Sequence, residues 1–80
     1  MCRSIHTLYH LDPPVSQGEI RAASLQFVRK VSGYSKPSKA NESTFIAAVD
    51  EIETIITRLL NSLETDAPTR SRNRIISQRN

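Results

Sequence analysis

Apolar side chains recur at helical spacing in two stretches of the chain. In the first, Ile20, Ala23, Ser24, Phe27, Val28 and Val31 share one side of a wheel turned by about 100° per residue. In the second, Phe45, Ala48, Val49, Ile52, Ile55, Ile56, Leu59, Leu60 and Leu63 form one continuous stripe. Asp50, Glu51, Glu53, Thr54, Thr57, Arg58 and Asn61 fill the rest of that wheel. The isoleucines favour strand slightly, but strict alternation is absent and the 3.6-residue period decides for helix.

End signals bracket both stretches. Ser16-Gln17-Gly18-Glu19 reads as a capping box, in which Ser16 accepts from the Glu19 N–H and Glu19 reaches back to the Ser16 N–H. Val15 and Ile20 stand where a hydrophobic staple belongs, and Gly33 is placed to take a left-handed conformation after the last turn. These signals predict a helix over 16–32. Asn41, or Ser38 just after Pro37, can cap the second helix, and Glu42 suits its dipole, which predicts a helix over 41–64. Residues 33–40 are then a loop. Residues 1–15 read as an arm laid across the pair through Ile5, Leu8, Tyr9 and Leu11, stopped by Asp12-Pro13-Pro14. Residues 66–80 are polar, with only Ile75-Ile76 to bury, and predict a disordered tail.

The fold class expected is therefore all-α: an antiparallel helix hairpin with an N-terminal arm, in one domain over 1–65. Two helices and an arm cannot enclose a stripe nine residues long. A homodimeric four-helix arrangement would cover it, so a second copy of the chain is the expected partner.

Length and charge narrow the function. Eighty residues exclude a two-domain enzyme, a doubly wound nucleotide fold and a barrel. No apolar run matches a membrane span or a signal-peptide core, so no membrane partner is expected and the cytoplasm is the expected compartment. The net charge of +3 has one source. Residues 1–65 balance Arg3, Arg21, Arg29, Lys30, Lys36, Lys39 and Arg58 against Asp12, Glu19, Glu42, Asp50, Glu51, Glu53 and Glu64. The surplus lies in the tail, where Arg70, Arg72, Arg74 and Arg79 face only Asp66. Arg29, Lys30, Lys36 and Lys39 nevertheless form a local run without an acid.

Candidate chemistry is sparse. Cys2, His6 and His10 stand four residues apart and would line one helix face, with Asp12 as a further donor. An arm of ordinary surface histidines is the preferred reading, so neither a metal nor any other cofactor is expected. If Met1 is removed, Cys2 becomes an N-terminal aminothiol whose amine and Arg3 favour the thiolate, making it a candidate reactive thiol. The alternative is a small side chain anchoring the arm. Lys36-Pro37-Ser38-Lys39-Ala40-Asn41 offers ammonium groups and hydroxyl at a helix start. With Arg3, Arg29 and Lys30, the Lys36, Ser38 and Lys39 side chains make a candidate site for an anionic ligand or a nucleic-acid backbone, against the plainer reading of a solvated loop. A helix-turn-helix reader is disfavoured because its second helix would present Asp50, Glu51 and Glu53 to phosphates. Those carboxylates read as a solvated face, and no catalytic set is assembled. A small helical interaction module is expected rather than an enzyme, with an anion or nucleic-acid accessory protein as the alternative and thiol or metal activity at Cys2 behind both.

Met1-Cys2-Arg3-Ser4-Ile5, Asp12-Pro13-Pro14, Glu19-Ile20-Arg21-Ala22-Ala23, Gln26-Phe27-Val28-Arg29-Lys30-Val31-Ser32-Gly33-Tyr34 and Lys36-Pro37-Ser38 occur in order, followed by Ala40-Asn41-Glu42, Phe45, Val49 and Leu59-Leu60. This pattern resembles a family of short, uncharacterised bacterial proteins, classed only as a domain of unknown function, that start Met-Cys-Arg-(Asn or Ser)-Ile. The resemblance covers about residues 1–68. It implies a bacterial cytoplasmic protein with Cys2-Arg3 and Lys36-Pro37-Ser38 as motif positions, and it assigns no activity. His6 and His10 fall outside the pattern, and the tail departs from the longer Arg/Ala/Glu-rich end of the family. If the motif marks a site, Cys2 and Arg3 should meet Lys36 and Ser38 in space.

Overall fold

A computed structural model describes residues 5–72. Its elements in chain order are β1 (Leu11–Asp12), α1 (Gln17–Ser32), a 3₁₀ turn (Lys39–Asn41), α2 (Glu42–Ser62) and β2 (Arg70–Ser71).

Local chemistry sets the ends of α1. The Glu19 N–H donates to Ser16 Oγ at 3.2 Å and the Ser16 N–H donates to Glu19 Oε1 at 2.8 Å, which closes the capping box. Gly33 takes φ 82°, and its N–H donates to the Arg29 carbonyl at 2.9 Å. A side chain at that φ meets its own following carbonyl, so glycine is the residue that ends the helix there at least cost. The start of α2 differs from the sequence expectation. Neither Ser38 nor Asn41 caps through its side chain. Instead the Asn41 N–H donates to the Ser38 carbonyl at 2.9 Å, its amide donates to Ser38 Oγ at 2.9 Å, and the 3₁₀ turn runs directly into the helix. A tight turn satisfies the first orphan donors with carbonyls in place of a capping oxygen.

The core lies between the two helices in two clusters. Val28 from late α1 packs with Phe45 and Val49 from early α2, with Leu25, Ala48 and Ile52 around them. Ile20 and Ala23 from early α1 pack with Leu8 of the arm, and Val15, Ile56 and Leu60 close that cluster. Val49 is the most enclosed apolar side chain, at 2% exposed. Ser24 of α1 is also fully buried and donates its hydroxyl to the Ile20 carbonyl at 2.9 Å, so this polar atom is not stranded.

The chain is mostly helical but not purely so. Leu11–Asp12 and Arg70–Ser71 pair as a parallel two-stranded sheet, with Leu11 opposite Arg70 and Asp12 opposite Ser71. This corrects the all-α expectation, with the second strand formed by Arg70–Ser71 from the stretch read as a tail. His10 makes the junction through its ring and its backbone. His10 takes φ 60°, a left-handed conformation that histidine tolerates better than most residues. In that pose its Nε2 donates to the Ala67 carbonyl at 2.8 Å while its own carbonyl accepts from the Arg70 N–H at 2.9 Å. The stretch 73–80, including Ile75-Ile76, lies outside the described residues.

Candidate functional site

Three surfaces carry chemistry. The first is a polar face across the helix pair. Arg21 Nη1 donates to Asp50 Oδ1 and to Glu53 Oε1, each at 2.7 Å. Gln17 Nε2 donates to Glu53 Oε2 at 2.7 Å and to Thr57 Oγ1 at 3.1 Å. The Gln17 hydrogen bond and then the Arg21 guanidinium hold the Glu53 carboxyl below its ordinary pKa, and Asp50 and Glu53 in turn raise that of Arg21. The one-turn spacing of Asp50 and Glu53 lets one guanidinium serve both. The face therefore ties α1 to α2.

The second surface is the junction of the arm with residues 60–72. A groove of about 630 Å³ runs there, walled by Leu8, Tyr9 and Leu11 on one side and by Leu60, Leu63 and Thr65 on the other. His10 lines it too, but its Nε2 is committed to Ala67 and its ring stacks on Tyr9 with centroids 5.5 Å apart. Below the groove, Arg72 pairs with both oxygens of Glu19 and also donates to the Pro13 and Pro14 carbonyls, each at 3.3 Å. That pairing, followed by the backbone hydrogen bond from Ser16, lowers the Glu19 pKa to about 2. Sequence reasoning placed Glu19 in the capping box and left Arg72 in the tail. The one signal in the sequence was the surplus of tail arginines facing only Asp66.

The third surface holds the basic residues singled out from the sequence. Arg29 and Lys30 lie in the last turn of α1, and Lys36, Ser38 and Lys39 lie in the connection to α2. Arg29 Nε donates to the Ser35 carbonyl at 3.0 Å, so this guanidinium folds back over the connection. Ser38 Oγ accepts from Asn41, and the Lys30 and Lys39 side chains stand in solvent. Cys2 and Arg3 lie outside the described residues, and with them the expected convergence on Lys36 and Ser38. Among the described residues no group of three His, Cys, Asp or Glu side chains could hold a metal ion, and no helix is long and apolar enough to cross a membrane. His6 Nδ1 instead engages the Thr7 carbonyl at 3.0 Å.

Between these surfaces, large apolar side chains remain open to solvent. Phe27 and Val31 on α1 are 49% and 70% exposed, and Ile55 and Leu59 on α2 are 56% and 52% exposed. Among comparisons with known proteins, residues 1–78 match the model of a family described as an uncharacterized conserved protein (DUF2277). No curated protein and no solved structure matches the chain.

Proposed function

From the premise that the chain belongs to this family of uncharacterized conserved proteins, we propose that it is a small helical interaction module of the bacterial cytoplasm. It is an antiparallel helix hairpin that works by associating with itself. The observation that carries this reading is the exposed apolar set of Phe27, Val31, Ile55 and Leu59. Phe27 stands six residues after Arg21 and Leu59 six residues after Glu53. Each is thus roughly 120° round its helix, in the same sense, from the polar face. In helices running in opposite directions, equal turns of the same sense lead to one face of the pair. The stripe therefore surfaces on the side away from the Arg21 network, where the arm covers only the end near Ile20 and Leu60. Contiguous exposed apolar surface rimmed by polar residues marks an association site, and a two-fold contact buries it on both copies at once.

Sedimentation equilibrium at micromolar concentration tests the proposal. A dimer mass that falls on dilution is the expected result. A folded monomer at every concentration overturns it. The anion reading draws on less, because Arg29 and Arg72 are engaged within the chain. It still predicts salt-sensitive retardation of duplex or single-stranded probes through Lys30, Lys36 and Lys39.

A further inference from the structure

On the open flank of α2, Ala48, Ile52, Ile55, Leu59 and Ser62 succeed one another at steps of four, three, four and three residues. That is the a/d spacing of a coiled-coil seam. Ala48 and Ile52 edge the Val28 cluster and are partly covered by it, whereas Ile55 and Leu59 are more than half exposed, so the outer side of the seam is open within the protomer. In this register the e positions are Val49 and Ile56, which are already packed in the core clusters with α1. The g positions are Glu51 and Arg58, exposed side chains with no ion pair among the described residues. Glu51, Ile55 and Arg58 of this flank also line an open surface groove with Asp50 and Thr54.

These positions select both the partner and its direction. A helix laid parallel would set the g positions against the partner's e positions, which are apolar and buried, and the two charges would gain nothing. A helix laid antiparallel sets g against g. A two-fold axis passing close to Ile55 then brings Glu51 against the partner's Arg58 and Arg58 against the partner's Glu51. The same axis places Ile55 against its own copy and the small Ala48 against the partner's small Ser62. The flank is therefore complementary to itself in charge and in size, as an isologous contact requires. We infer that two copies of this chain pair through α2, antiparallel, with Glu51 of each facing Arg58 of the other. The inference rests on the self-association proposed above and adds the element, the direction and the register.

The test uses E51K, R58E and the combined E51K/R58E chain, with circular dichroism confirming that each stays helical. Each single change places like charges together twice per dimer and is expected to raise the dimer Kd roughly ten-fold at low salt, less at high salt. The combined change restores both pairs and should return the Kd close to that of the unaltered chain. An equimolar mixture of E51K and R58E should form the mixed dimer in excess over the random half, read by native mass spectrometry. As a second measurement, I55C in a C2S background should cross-link to itself on mild oxidation, whereas I46C, on the other flank, should not. An unaltered chain that dimerises while the single variants match its Kd and mix at random overturns this register and leaves self-association standing. An unaltered chain that stays monomeric overturns both.

Discussion

The two glycines make opposite demands on a side chain. Gly33 sits at φ 82° with nothing within 4 Å of an added Cβ, so an alanine there is penalised by backbone conformation alone. Gly33→Ala is expected to destabilise by about 1 kcal/mol. Gly18 lies in the first turn of α1, where an added Cβ would meet only Ser16 Oγ at an ordinary 3.8 Å. Gly18→Ala is expected to stabilise by roughly 0.5 kcal/mol through helix propensity and a less flexible unfolded chain. Urea unfolding of both variants, at one protein concentration, checks the pair of signs. Equal shifts would mean that the left-handed cap is not what ends α1.

At the scale of elements, the link between α1 and the C-terminal stretch should respond to acid. Glu19 is held at about 2 against an ordinary 4.5, chiefly by Arg72. Because the folded state favours the ionised form, its contribution is fully present above pH 4.5 and is lost as pH falls from there through about 2. Glu53, lowered by Gln17 and Arg21, adds a loss of the same sign on the acid side. Thermal unfolding of E19Q should show a lower melting temperature at neutral pH and a shallower decline between pH 4.5 and 2. A pH profile parallel to that of the unaltered chain would dissociate Glu19 from the link. This link also marks how far the sequence could be read. The capping box, the Gly33 terminus and the staple of Val15 on Ile20 were legible because each depends on residues a few positions apart. The strand pair was not, because two-residue strands carry no alternation and Leu11 meets Arg70 only after both helices have turned the chain back. The Lys36–Asn41 cluster was legible as composition alone. Its geometry depends on Arg29 bending onto Ser35, which no spacing rule announces.

For the whole molecule, the wheel located the stripe but could not apportion it between the two helices and an outside surface. Val49 and Leu59 belong to the same stripe, yet one is 2% and the other 52% exposed. The difference lies in the side of α2 each occupies. Val49 packs with Val28 of α1, and Leu60 packs on the Ile20 cluster while its neighbour Leu59 stands on the open flank. Only a two-sided contact would use the remainder, and that has a thermodynamic signature. The melting temperature should rise with protein concentration, since association adds to the stability of the folded state. Leu59→Glu should abolish that rise with little change in the helix content of the isolated chain, because Leu59 is not among the side chains of either core cluster. A melting temperature independent of concentration in the unaltered chain would contradict the dimer.

The pairing of Leu11–Asp12 with Arg70–Ser71 also sets an order of events in time. Closing so long a loop is entropically slow unless the intervening helices have already brought its ends together. On a ribosome adding about 5–20 residues per second, the arm emerges several seconds before its partner strand. For that interval the Leu11 backbone has no strand beside it. The bridge is therefore expected to close last in folding and to open first in the native protein, which hydrogen exchange at the Arg70 amide, faster than at the Val49 amide, would show.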